Sequence, residues 1–168
     1  AFSKLGSLYH KQGFYNQAEQ LYQRALKIDE KVFGKNSSLL ADRLNDLGVI
    51  NLDKGSLKKS ETFLLRALLI LDKSTDSINP SLEVTLYNLG ALNFELGLSI
   101  KAEKYFLRAI EITENNLGNE HPDLSRSLQF LGMIYMDQGL YDKAEPLLVR
   151  SLAINEKTLG PTHPDTSD

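Results

Sequence analysis

The amino-acid sequence predicts an all-α fold of four helix–turn–helix repeats, eight helices in chain order. Three observations predict it. The chain aligns with itself without gaps every 42 residues, with Leu5-Gly6, Leu47-Gly48, Leu89-Gly90 and Leu131-Gly132 in one register and Gly13, Gly55, Gly97 and Gly139 in another. Within each row, apolar and small residues recur at helical spacing. Between rows, short segments combine a helix stop with a helix start.

The rows run over about residues 1–36, 37–78, 79–120 and 121–162, and 163–168 open a further row. Leu44, Leu47, Gly48 and Asn51 mark one face of a first helix, and Leu86, Leu89, Gly90 and Asn93 mark its counterpart. The glycine that follows, Gly55 in row two, suits a helix C-terminus that needs positive φ. Second helices carry Ala18, Tyr22, Ala25 and Ile28, or Ala102, Phe106, Ala109 and Ile112, on one face. Small residues let helices approach while large ones fill the gaps.

Row boundaries read Leu117-Gly118-Asn119-Glu120-His121-Pro122-Asp123 and Leu159-Gly160-Pro161-Thr162-His163-Pro164-Asp165. Glycine ends a helix, proline is expected in the first turn of the next, and aspartate complements the helix dipole. Ser37 and Asn79 are expected N-caps. Row two departs from the pattern at Asn51, Ser60 and Asp76 and is expected to be the least regular. The whole chain, 1–168, reads as one domain and as a segment of a longer array.

Composition narrows the function classes. With 42% hydrophobic and 24% charged residues the chain is expected to fold, and a net charge of −3 offers no basic excess for nucleic acid. There is no cysteine, which removes disulfides, thiolate metal sites and cysteine nucleophiles. No apolar run of about 18 residues suggests a membrane span, and no signal-peptide pattern opens the sequence. A cytoplasmic location without membrane contact is expected. The histidines His10, His121 and His163 lack partners at metal-ligand spacing. No catalytic motif is found, so no enzyme activity, metal or cofactor is expected. The recurring Glu19, Glu61, Glu103 and Glu145, and Arg24, Arg66, Arg108 and Arg150, are expected to pair within or between adjacent rows.

The pattern Leu-Gly, Tyr, Gly, Ala, Tyr or Phe, Ala resembles the tetratricopeptide repeat. The 42-residue period, Tyr141-Asp142-Lys143-Ala144-Glu145-Pro146-Leu147 and Gly160-Pro161-Thr162-His163-Pro164-Asp165 resemble its kinesin-light-chain subtype. The resemblance implies a right-handed superhelical α-solenoid whose first helices line a concave surface that binds a protein or peptide partner.

Helical spacing then places Asp42, Asn45, Asp46, Val49, Leu52 and Asp53 on that surface in row two, beyond Lys4, His10 and Lys11 in row one. Row three contributes Val84, Tyr87, Asn88, Ala91, Phe94 and Glu95, and row four Arg126, Gln129, Phe130, Met133, Met136 and Asp137. The aromatic and thioether side chains suit an apolar peptide, and Asn45, Asn88 and Gln129 could hydrogen-bond its backbone. Packing of first helix on first helix is the alternative use of the same residues. The acidic row two fits neither a groove that clamps a carboxylate nor one that reads acidic peptides. A spacer or self-association role remains open, the latter through the ends or through a convex surface marked by Leu65 and Leu69.

Overall fold

The computed structural model describes residues 2–74 and 80–159, and every regular element among them is helical. In chain order these are α1 (Phe2–Lys11), α2 (Tyr15–Phe33), a 3-10 turn (Ser38–Leu40), α3 (Ala41–Asp53), α4 (Leu57–Asp72), α5 (Pro80–Glu95), α6 (Ser99–Leu117), α7 (Leu124–Asp137) and α8 (Tyr141–Leu159). The row period of 42 thus appears as a succession of shorter and longer helices.

The glycine of each row does what its position requires. Gly55 has φ 69°, in the left-handed region, and its N–H donates to the Leu52 carbonyl at 2.8 Å. The Ser56 N–H then reaches back to the Asn51 carbonyl at 2.7 Å. Phe14 to Tyr9, Leu98 to Asn93 and Leu140 to Tyr135 repeat that second bond at 2.8 Å each. Two orphan carbonyls at the helix end are satisfied this way, and the chain turns directly into the second helix.

Row boundaries differ in detail from the sequence reading. The Ser37 hydroxyl accepts from the Leu39 N–H at 3.3 Å, so it caps the 3-10 turn rather than a long helix. Pro80 is the first residue of α5, as expected, but Pro122 and Asp123 lie ahead of α7. The Asp123 side chain makes no cap bond; its N–H instead meets His121 Nδ1 at 3.3 Å. Asp76, Asn79 and the segment from Gly160 onward lie outside the described residues. Row two is shortened: α4 has 16 residues where α2, α6 and α8 have 19.

The chain divides into two compact units, Ala1–Leu92 and Asn93–Asp168, with the division inside α5. In the first unit α3 packs on both α2 and α4. Ala18, Tyr22 and Leu26 of α2, Leu40 of the 3-10 turn, Leu44, Leu47 and Ile50 of α3, and Ala67 and Ile70 of α4 form one buried cluster. Each large aliphatic side chain removed from water there contributes about 1.5–3 kcal/mol. Gly48 allows the α3–α4 approach, because a Cβ at that position would stand 2.6 Å from Leu64 Cγ. In the second unit α7 packs on α6 and α8 in the same way, burying Leu128, Leu131 and Ile134, and Gly132 faces Leu148.

Candidate functional site

The polar candidates of the first unit lie along α3 and α5, and several are taken up by bonds to neighbouring side chains within that unit. Asn45 is 5% exposed and donates from Nδ2 to Thr85 Oγ1 at 2.9 Å. Asn88 is 8% exposed. These two amides therefore present little surface to a peptide backbone. Asp42 accepts from the Ser81 hydroxyl at 2.6 Å, and Asp46 pairs with Arg43 at 3.0 Å. Burial pushes the Asp46 carboxyl above its ordinary pKa, and nearby Asp42 adds to this while Arg43 opposes it. His10 Nε2 lies 2.5 Å from Asp53 Oδ2, linking α1 to α3. Val49, Leu52 and Tyr87 are half-buried, and Val84 is exposed.

The second unit arranges its candidates differently. Positions 126, 130, 133 and 137, with 129 and 136 beside them, share one side of α7. Phe130 meets Phe94 edge-to-face, with ring centroids 5.4 Å apart and planes at 75°. Its face stacks on Phe106 of α6 at 5.1 Å and 12°. Phe106 is wholly buried, whereas Phe94 and Phe130 are half-buried. Such ring pairs add about 0.5–1.5 kcal/mol to the area they bury. Met133 and Met136 stand 45% and 47% exposed, Arg126 is exposed and Gln129 half-buried. The result is a fixed aromatic pair bordered by adaptable thioethers and by polar groups.

Leu65 and Leu69, one turn apart on α4, are both exposed. Leu107 and Val149, in the column of Leu65, are exposed as well, but row one has Gln23 there, and in the column of Leu69 the other rows have Lys27, Glu111 and Ala153, so the outward apolar pair belongs to row two alone.

The charged columns hold rows together, though not as mutual Glu–Arg pairs. Glu19 reaches Lys54 Nζ at 2.5 Å in the following row, and Glu103 accepts from the Tyr135 hydroxyl at 2.8 Å. Burial raises the Glu19 pKa, but Lys54, Lys59 and Asn51 outweigh it and hold the carboxyl below its ordinary value. Tyr135 is pushed up to about 12, chiefly by burial and then by Glu103. Arg66 bonds backward, to Glu30 at 2.7 Å and to the Lys35 carbonyl at 2.9 Å. Arg150 repeats this two rows on, with Glu114 at 2.6 Å and the Asn119 carbonyl at 2.7 Å. The signal for these partners was present in the sequence as the column Glu30, Asp72, Glu114 and Glu156, which sequence reasoning passed over.

Among the described residues no group of three His, Asp or Glu side chains is placed to hold a metal ion, and no helix is long and apolar enough to cross a membrane.

The tetratricopeptide-repeat pattern matches residues 1–73 and 81–135, and a second form of it matches 124–165. No curated protein matches the chain. Among solved structures, BtubC (BKLC) from P. vanneervenii is 27% identical, with a TM-score of 0.81 over 97% of this chain. This chain spans 65% of the length of that protein. A putative kinesin light chain from Podosopora anserina with nearly identical repeats is 23% identical, with a TM-score of 0.80, covering 98% of this chain and 78% of that one. The pilF protein of Pseudomonas aeruginosa is 24% identical at a TM-score of 0.72, covering 92% of this chain and 60% of that one. The shared architecture is an α-solenoid of four repeats resembling those of kinesin light chains.

Proposed function

We propose that this chain, which belongs to the tetratricopeptide-repeat family, is a non-catalytic protein–protein interaction scaffold that takes a peptide or partner helix on the first-helix face of its second unit. The observation that carries the reading is the Phe94–Phe130 pair, half-exposed and held in place by buried Phe106. Rings fixed before a ligand arrives lose little conformational entropy on binding. Met133 and Met136 beside them adapt to the shape of an apolar side chain, and Arg126 and Gln129 supply polar contacts at the edge. The first unit's candidates are less available: Asn45 and Asn88 are buried, Asp46 is paired with Arg43, and Val49, Leu52 and Tyr87 are half-buried.

The test is to pan a displayed peptide library against the chain and measure the selected peptides by calorimetry. Phe94→Leu keeps apolar volume but removes the ring, and is expected to weaken binding by about 1–2 kcal/mol. Unaltered affinity of every selected peptide for Phe94→Leu, with its melting temperature close to the parent's, would place the anchor elsewhere.

A further inference from the structure

Three of the first helices end on a carboxylate. Asp53, Glu95 and Asp137 are the last residues of α3, α5 and α7, and no basic residue stands in the last turn of any of the three. A helix C-terminus carries partial negative charge, so an acidic side chain there is unfavourable and a basic one favourable. Among the first helices α1 alone follows that preference, with His10 and Lys11 in its last turn. Departures from a local preference are found at functional positions.

The first unit shows what such a carboxylate takes. His10, on the first helix of row one, places Nε2 2.5 Å from Oδ2 of Asp53. The two residues are 43 positions apart, and the same step back from Asp137 reaches Phe94. Phe94 and Asp137 therefore hold, within the second unit, the places of His10 and Asp53, with a ring that has no proton to donate where the first unit has an imidazole. Asp137 is exposed and has no ion-pair partner among the described residues. Lys143, the basic residue nearest to it in the sequence, lies over the Tyr135 ring at 5.4 Å. A following row does not close this position: Glu95 is exposed although α7 follows it in the same unit. Acidic side chains also outnumber basic ones over residues 93–168.

We infer that the partner of this face presents an arginine, seated between the Phe94 ring and the Asp137 carboxylate. The inference rests on the peptide-binding reading of the face and adds the chemistry of its ligand. A guanidinium meets both sides of the site: it stacks on an aromatic ring, and its N–H groups donate in a fork to a carboxylate. Phe130 already holds the Phe94 ring in place, so the stacking partner is fixed before the ligand arrives. The incoming cation also offsets the repulsion between Asp137 and the end of α7, which the free protein carries. A glutamate at the same place in the ligand would add to that repulsion instead.

The experiment pans two displayed peptide libraries in parallel against the 168-residue chain. Both randomise the same positions around one fixed residue, arginine in the first library and glutamate in the second. Binders are expected from the arginine library and not from the glutamate library. A selected arginine peptide, and its counterpart with glutamine in place of the arginine, are then measured by calorimetry against the parent, Phe94→Leu and Asp137→Asn. Asp137→Asn is expected to weaken the arginine peptide by about tenfold or more and to leave the glutamine peptide unchanged. It is also expected to melt at or above the parent, because it removes a carboxylate from the negative end of α7. Equal recovery from the two libraries, or none from either, overturns the inference. So does an Asp137→Asn variant that melts below the parent, because the carboxylate would then serve the fold. Undiminished binding of the arginine peptide to Asp137→Asn overturns it as well. If Phe94→Leu still weakens that peptide, the face keeps its role and only the arginine is lost; if neither variant weakens it, both readings fall.

Discussion

Replacing Gly48 with alanine tests the packing of α3 on α4 with a single methyl group. The new Cβ would stand 2.6 Å from Leu64 Cγ, with one Leu64 methyl nearer still, whereas carbon atoms in contact prefer about 3.5–4.0 Å. Leu64 is wholly buried and its clash includes Cγ, so turning the tip of the side chain gives no relief. Either α4 moves away or Leu64 leaves its rotamer. Overpacking costs about 1–3 kcal/mol, and a clash at Cγ of a wholly buried partner belongs to the upper part of that range, about 2–3 kcal/mol, against which alanine gains about 1 kcal/mol of helix propensity over glycine. A net loss of about 1–2 kcal/mol should lower the melting temperature by about 2–8 °C for a chain of this size. Gly132→Ala makes a useful comparison, because the clash there is with half-buried Leu148, whose Cγ would lie 2.8 Å away and which has room to turn. Thermal melts followed by far-ultraviolet circular dichroism give both numbers. If Gly48→Ala melts at or above the parent, or if Gly132→Ala loses more than Gly48→Ala, the packing argument is wrong.

Three other expectations follow from single side chains. Ser60 is wholly buried with an unpaired hydroxyl where the other rows have Ala18, Ala102 and Ala144, so Ser60→Ala should stabilise the fold by about 1–2 kcal/mol in urea unfolding; a loss would show that the hydroxyl has a partner. The Glu19 carboxyl is held below its ordinary pKa, so its contribution is present above the usual carboxylate range and disappears as pH falls through the lowered value. Glu19→Gln should therefore be less stable than the parent at neutral pH and should converge with it in acid, and a gap that persists at low pH would contradict the Lys54 pairing. Tyr135 keeps its proton up to about 12 in the fold against 10.0 for a free tyrosine. Its contribution is complete below about pH 10 and is lost towards about pH 12, so Tyr135→Phe should lose less stability across that window when both proteins are unfolded at stepped pH.

The fold was legible because its signals repeat. A glycine at one position of a row says little, but Gly13, Gly55, Gly97 and Gly139 in register specify a turn that the backbone then makes with nearly identical bonds. The site was only partly legible. Helical spacing put Phe130, Met133 and Met136 on one side of α7, yet it carries no information on neighbours from other helices such as Phe94 and Phe106. Asn45 faces outward by spacing alone, and Thr85, forty positions away, is what takes up its amide. The charged columns show the same limit: Glu19 and Arg24 stand close in sequence, whereas their columns pair with different rows through partners that only the stacked helices bring near.

The central claim, that the first-helix face of the second unit binds a partner, has a convenient reporter. The chain contains two methionines, Met133 and Met136, and both lie on the side of α7 that carries Phe130. A methyl-labelled methionine spectrum thus holds two signals, both at the candidate site. At fixed protein concentration, titration with a selected peptide should shift both signals to saturation at the dissociation constant found by calorimetry. A peptide that binds by calorimetry while both methyl signals stay in place would contradict the account.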